Sequence, residues 1–196
     1  NIVLGPSAGY DLTTGEKNII LGKDAGANFT ENHDNIVIGY GALDAAGSTL
    51  IENYNIAIGT NALGTETAGA DYCVAIGDQA LALQNADVKN TVIGGLAGDA
   101  ITTSGYNTLL GYSAGSALDT SGNGGYNTVI GHEALGRGKG GSNIAIGYRT
   151  LYSATLAADN NVAIGVNAGL ALTDGPGNVL IGKAAGTAMT TGDYNV

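Results

Sequence analysis

The sequence predicts an all-β fold, a repeat β-solenoid (β-roll or β-helix) with about one coil per 16–20 residues. Three observations lead there. A short phrase, Asn-x-x-(Ile/Leu)-Gly, recurs along the whole chain. Glycine is far above its usual share, at 34 of 196 residues, while proline occurs twice and tryptophan not at all. The residue after each opening Asn is β-branched in every repeat, always Ile, Val or Thr.

The repeats open at Asn1, Asn18, Asn35, Asn55, Cys73, Asn90, Asn107, Asn127, Asn143, Asn161, Asn178 and Asn195. That gives eleven full repeats, hence eleven expected coils, and the start of a twelfth. Residues 1–196 read as one array, with no composition shift to mark a domain boundary. The first residue is not Met and is already in phase, so a longer fibrous chain is expected around this segment.

Numbering each repeat from its opening residue, positions two to four form a short strand of β-branched and aliphatic residues. Position five is Gly in all eleven: Gly5, Gly22, Gly39, Gly59, Gly77, Gly94, Gly111, Gly131, Gly147, Gly165 and Gly182. Glycine in a strand costs roughly 0.5–1 kcal/mol against alanine, so its recurrence predicts a corner that needs positive φ or close backbone approach. A helix is excluded because glycine recurs too often and each unit is too short. Position eight is Ala except at Thr150, and position nine is only Gly or Leu. A polar stretch of variable length closes each unit, where insertions cost little. The Asn column suits an amide ladder between coils stacked about 4.8 Å apart, broken once at Cys73.

Alternate strand residues face opposite sides. Positions two and four share one face and position three the other, yet both are apolar. Position three holds Val3, Ile20, Val37, Ala57, Ala75, Val92, Leu109, Val129, Ala145, Ala163 and Leu180. A single coil of 17 residues has one inside. The position-three residues are therefore expected to form a core or interface shared with sister chains, since a rod-long apolar stripe exceeds what monomers usually expose. The expected partner is the chain itself.

Composition excludes several classes. Collagen needs glycine every third residue and much proline. Disorder needs few β-branched residues and dense charge, whereas 12% of residues here are charged. A net charge of −10 with scattered cations argues against nucleic acid and anionic membranes as partners. No apolar run approaches the roughly 20 residues of a bilayer span, so no membrane insertion is expected. One cysteine allows no intrachain disulfide.

Residues 5–9 (GPSAG) and 111–115 (GYSAG) fit the G-x-S-x-G elbow of serine hydrolases. In repeat coordinates, however, Ser7 and Ser113 share a variable column with Asp24, Asn61, Gln79, Glu133 and Arg149, and the flanking glycines belong to the coil. No enzyme is expected. His33-Asp34 and His132-Glu133 lack the second histidine of a metal site. GRGKGG (136–141) lacks the G-K-(S/T) and helix of a phosphate cradle. The loop carboxylates Asp11, Asp99, Asp119, Asp174 and Asp193 form no calcium-binding column. Neither a cofactor nor a metal is expected. Tyr106 and Tyr126, at loop ends, are the candidates for ligand contact; the alternative is a tyrosine ladder down the side of the rod.

The phrases NIAIGTNAL, NTLLGYSAG, NTVIGHEAL and NVAIGVNAG resemble the glycine-rich repeats of phage tail-fibre shafts. They are similar, more loosely, to repeats in the heads of trimeric autotransporter adhesins, whose coils are shorter and more regular. The resemblance implies a parallel homotrimer outside the cell, on a virion or a cell surface. It implies a rigid spacer or attachment rod, with other virion or cell-surface proteins as further partners. A bacterial surface filament whose loops bind a host ligand or glycan is the alternative that the resemblance leaves open.

Overall fold

A computed structural model describes residues 1–44, 52–65, 71–86, 88–118, 124–154 and 158–196. Among them no helix occurs. Eleven three-residue strands follow in order: β1 (Ile2–Leu4), β2 (Ile19–Leu21), β3 (Ile36–Ile38), β4 (Ile56–Ile58), β5 (Val74–Ile76), β6 (Thr91–Ile93), β7 (Thr108–Leu110), β8 (Thr128–Ile130), β9 (Ile144–Ile146), β10 (Val162–Ile164) and β11 (Val179–Ile181). They form one parallel sheet in chain order, β1 beside β2 through to β11. The register is that of the sequence repeat, for example Val92 opposite Leu109 and Thr91 opposite Thr108. The chain is a β-solenoid whose strands sit as rungs on one side.

Each strand stops where its glycine stands. Gly39 has φ +135° and Gly111 φ +138°, a region that side chains rarely enter. A Cβ on Gly39 would also lie 2.5 Å from the Gly59 carbonyl oxygen in the next rung, and the same collision recurs from Gly5 to Gly165. Conformation and stacking therefore both require glycine. Beyond this corner the chain makes two tight turns. The position-eight amide donates back to the glycine carbonyl (Ala114 to Gly111, 3.2 Å), and the position-twelve amide donates to position nine (Ile101 to Gly98, 3.0 Å). The corners are stacked too. Each position-nine amide donates to the position-eight carbonyl one rung on, as Gly98 does to Ala114 at 3.0 Å. Backbone polarity that one coil cannot satisfy alone is met by its neighbours, so stacking holds the fold together.

The interior is narrow and layered. Position-eight alanines from Ala25 to Ala168 are fully buried. Beside them lie the opening asparagines, of which Asn18 to Asn178 are at most 1% exposed. Each asparagine Oδ1 accepts the backbone N–H of the asparagine one rung on, at 2.9 Å from Asn127 to Asn107 and 2.8 Å from Asn178 to Asn161. The same oxygen takes the side-chain amide of that neighbour at 3.1 Å and 3.0 Å in these pairs. At Cys73 the ladder is spliced rather than broken. The Cys73 amide still donates to Asn55 Oδ1 at 2.9 Å. Gln84, fully buried, gives its Nε2–H to Cys73 Sγ at 3.1 Å and takes the Asn90 Nδ2–H on Oε1 at 3.0 Å. A buried amide with no acceptor would cost about 1–3 kcal/mol, and Gln84 supplies what the thiol cannot.

Positions nine and twelve exchange volume. Where nine is Gly (Gly9, Gly26, Gly98, Gly115, Gly169, Gly186), twelve is large and apolar: Leu12, Phe29, Ile101, Leu118, Leu172 and Met189. Where nine is Leu, the described position-twelve residues are Gln84, Gly138 and Ala154. The two sites compete for one space. A Cβ on Gly98 would stand 2.9 Å from Ile101 Cδ1, and one on Gly138 would run into Leu135. Gln84 is the large exception, and its presence follows from Cys73.

The position-three residues need a correction. Ile20, Val37, Ala57, Ala75, Val92, Leu109, Val129, Ala145, Ala163 and Leu180 are all buried within the chain's own coil, and only Val3 on β1 is open. A second chain cannot reach them. Period-two alternation says that two faces exist and not which one points inward. The amides of position one share the parity of position three, and that pair lines the interior. The face left outside belongs to positions two and four.

Candidate functional site

The outward strand face is the most extended surface feature of the rod. Along β2–β5 and β8–β10, positions two and four are partly or largely exposed while position three is buried. Position four is Ile or Leu on every strand, with 38% exposure at Ile93 and 45% at Leu110 in the middle of the array. Position two is Ile or Val except on β6, β7 and β8, where Thr91, Thr108 and Thr128 stand side by side in the sheet. Parallel in-register pairing stacks each side chain on its like, so the face is two side chains wide and, over ten rung steps, on the order of 50 Å long.

Aromatic columns follow the same rungs. Tyr54 stacks on Tyr72 with ring centroids 4.9 Å apart, and Tyr106 stacks on Tyr126 at 5.1 Å, both at 8° between planes. The two candidates for ligand contact are thus each other's neighbours in a tyrosine ladder, with 53% and 67% of their surface still exposed. A second column, just past the glycine corner, sets His132 between Tyr112 and Tyr148, stacked on the first at 5.4 Å and tilted to the second at 5.5 Å. Arg149 lies over Tyr152 at 4.6 Å and pairs with Glu133 at 2.6 Å.

The serine, histidine and glycine motifs resolve into parts of the coil. Ser7 and Ser113 have φ +55° and +51°, but Asp24, Asn61, Leu96, Glu133 and Ala184 take the same conformation in the same column. It is the geometry of the corner, common to all rungs, and it marks no special serine. His132 is held in the aromatic stack, and His33 Nδ1 accepts the Glu16 amide at 3.0 Å. In GRGKGG the backbone amides that would grip a phosphate already have acceptors: Arg137 donates to Tyr152, Gly138 to Leu135, Lys139 to Ala154 and Gly141 to Asp159. The Asn28 side chain, in the glycosylation sequon Asn28-Phe29-Thr30, donates to Asp44 Oδ1 at 3.2 Å.

No group of three or more His, Cys, Asp or Glu among the described residues could hold a metal. Asp119 lies outside the described residues. Burial pushes the Asp99 carboxyl above its usual range, and its Oδ1 has no hydrogen-bond partner among the described residues. Burial, then the charge of Asp24, does the same to Asp44. Among the described residues no helix is long and apolar enough to cross a membrane.

Fold and surface together define a β-solenoid repeat protein with an apolar outer strand face. Compared with known families, curated proteins and solved structures, the chain matches none. The sequence pattern could have located the outward face, because position three admits Ala four times among its eleven residues while position four never does. A narrow interior takes small residues; an outer face need not.

Proposed function

We propose that this chain is the structural shaft of an extracellular fibre, a rigid non-enzymatic spacer or attachment rod in which three parallel copies share their outward strand faces, as in the phage tail-fibre shafts its repeats resemble. The observation that carries the reading is the unbroken column of Ile and Leu at position four, outside the coil on every rung. A face about 50 Å long and about 10 Å wide is on the order of 500 Å², near the largest apolar patch a monomer usually shows. Three such faces about one axis would bury on the order of 1,500 Å² in all, about 500 Å² for each pair of copies, so the contact is a narrow stripe along the fibre and not a standard pairwise interface of roughly 1,200–2,000 Å². The number three comes from the resemblance; the face comes from the geometry of the strands.

Native mass spectrometry with light scattering tests this. The chain should run at three times its mass. Ile93→Asp and Leu110→Asp, on the outer face, should leave a folded single chain, whereas Val92→Asp and Leu109→Asp, inside the coil, should unfold it. A well-folded single-chain species of the unaltered protein at micromolar concentration would overturn the proposal.

A further inference from the structure

A uniform ladder of side chains about 4.8 Å apart packs almost equally well on a copy of itself shifted by a rung or turned end for end. The outward face is not uniform. Thr91, Thr108 and Thr128 place three hydroxyls on consecutive rungs β6, β7 and β8, while position two is Ile or Val on β1–β5 and β9–β11. Their backbones are held in the parallel ladder like every other rung, and none of the three hydroxyls bonds within the chain among the described residues.

We propose that this threonine block fixes how copies of the chain dock: parallel and in register. The proposal rests on the shared-face reading above, in which the copies are parallel, and adds the residues that hold their register. In parallel, unshifted copies, threonine meets threonine on all three rungs, and each hydroxyl can both donate and accept. A shift of one rung sets a threonine against Val74 at one end of the block and against Ile144 at the other. Turned end for end over eleven rungs, β7 and β8 meet β5 and β4, so Thr108 and Thr128 face Val74 and Ile56. Each mismatch buries a hydroxyl against a hydrocarbon neighbour with nothing to bond. The partner whose surface carries both the rung spacing and the block at the same height is a second copy of this chain. Any end-overlap lost on shifting is the same with or without the hydroxyls, so removing them isolates their effect.

The experiment co-assembles two chains, one carrying Ile144→Cys and the other Val162→Cys, on paired rungs of the outer face, first in the otherwise unaltered background and then with Thr91→Val, Thr108→Val and Thr128→Val in both. With one outer-face cysteine per chain, every 144-to-162 link joins two copies, whereas two in one chain would oxidise to each other. Cys73 is fully buried and stays. Valine is the residue of this column at 74, 162 and 179 and removes only the hydroxyl's polarity. After mild oxidation and denaturation, trypsin puts positions 144 and 162 on different peptides, because Arg149 lies between them in the sequence, and mass spectrometry counts the linked peptides. Links of 144 to 144 and 162 to 162 are expected with the threonines present. Without them, 144-to-162 links should rise at least about tenfold relative to same-rung links, the ratio for relieving even one of the two hydroxyls that a shift leaves unpaired. Assembly with the same link pattern in both proteins would overturn the inference and leave the shared face standing. So would assembly without any link in the threonine-containing protein, since that means reversed copies. A single-chain mass for that protein would overturn the shared face itself.

Discussion

Gly98→Leu should be damaging alone and well tolerated together with Ile101→Ala. A Cβ at Gly98 would stand 2.9 Å from Ile101 Cδ1 and 3.0 Å from Leu109 Cδ1, so the leucine has no room while isoleucine fills the space. Overpacking costs about 1–3 kcal/mol, and a side chain at φ +56° adds about 1–2 kcal/mol. Ile101→Ala alone empties a fully buried site for about 2–5 kcal/mol. The pair together recreates Leu151 with Ala154, where leucine already sits at φ +50°. The backbone term, about 1–2 kcal/mol, and the approach to Leu109 then remain. The double variant should recover at least about 2 kcal/mol relative to the sum of the singles, because the space emptied at Ile101 is refilled. In a chain of this length that is roughly 4–8 °C of thermal midpoint, readable by circular dichroism. Additivity within about 0.5 kcal/mol would show that the two positions do not share one space, and the exchange rule would fall.

Three further outcomes are expected. Gln84→Ala should destabilise by about 1–3 kcal/mol, because the Asn90 amide loses one of its two acceptors and keeps only the Ser104 carbonyl; adding Cys73→Asn should restore most of this in urea unfolding, since it rebuilds the regular ladder beside a small position-twelve residue. Gly111→Ala should cost about 3 kcal/mol from its φ of +138° together with the approach to the Gly131 carbonyl, whereas Lys183→Ala, at an exposed position, should change the midpoint little. Asp99→Asn should stabilise by less than about 1 kcal/mol at neutral pH. The sign follows from proton binding: a carboxyl raised above 3.8 in the folded chain holds its proton more tightly there. The penalty is complete above the folded value and disappears as pH falls toward 3.8. The gain from Asp99→Asn should vanish there, and a gain that persists in acid would refute burial of charge as its cause.

The repeat made the rungs legible because strand, corner and loop each leave a column. Ile38-Gly39 and Ile130-Gly131 announce a strand end at the same phase, and the structure ends β3 and β8 there. The polarity of the two faces was harder to read. Val92 and Ile93 are alike in hydropathy, and what turns Val92 inward is its parity with Asn90, whose side-chain amide donates to the Ser104 carbonyl inside the coil. A buried amide column is a stronger marker of the interior than an apolar one, because an amide left inside must find partners, while hydrocarbon is tolerated on either side. The exchange between positions nine and twelve was present in the letters, yet each column looked variable by itself; the constraint lies in their summed volume. Gln84 was invisible for a related reason. It answers a substitution eleven residues earlier, and only the closed coil brings its two amide ends to Cys73 and Asn90. The same logic bears on the outer face. Position two of that face accepts threonine on three consecutive rungs, at Thr91, Thr108 and Thr128, while position four holds Ile or Leu on all eleven strands. A column kept apolar on a face that elsewhere takes a hydroxyl is what the proposed sharing between copies would require.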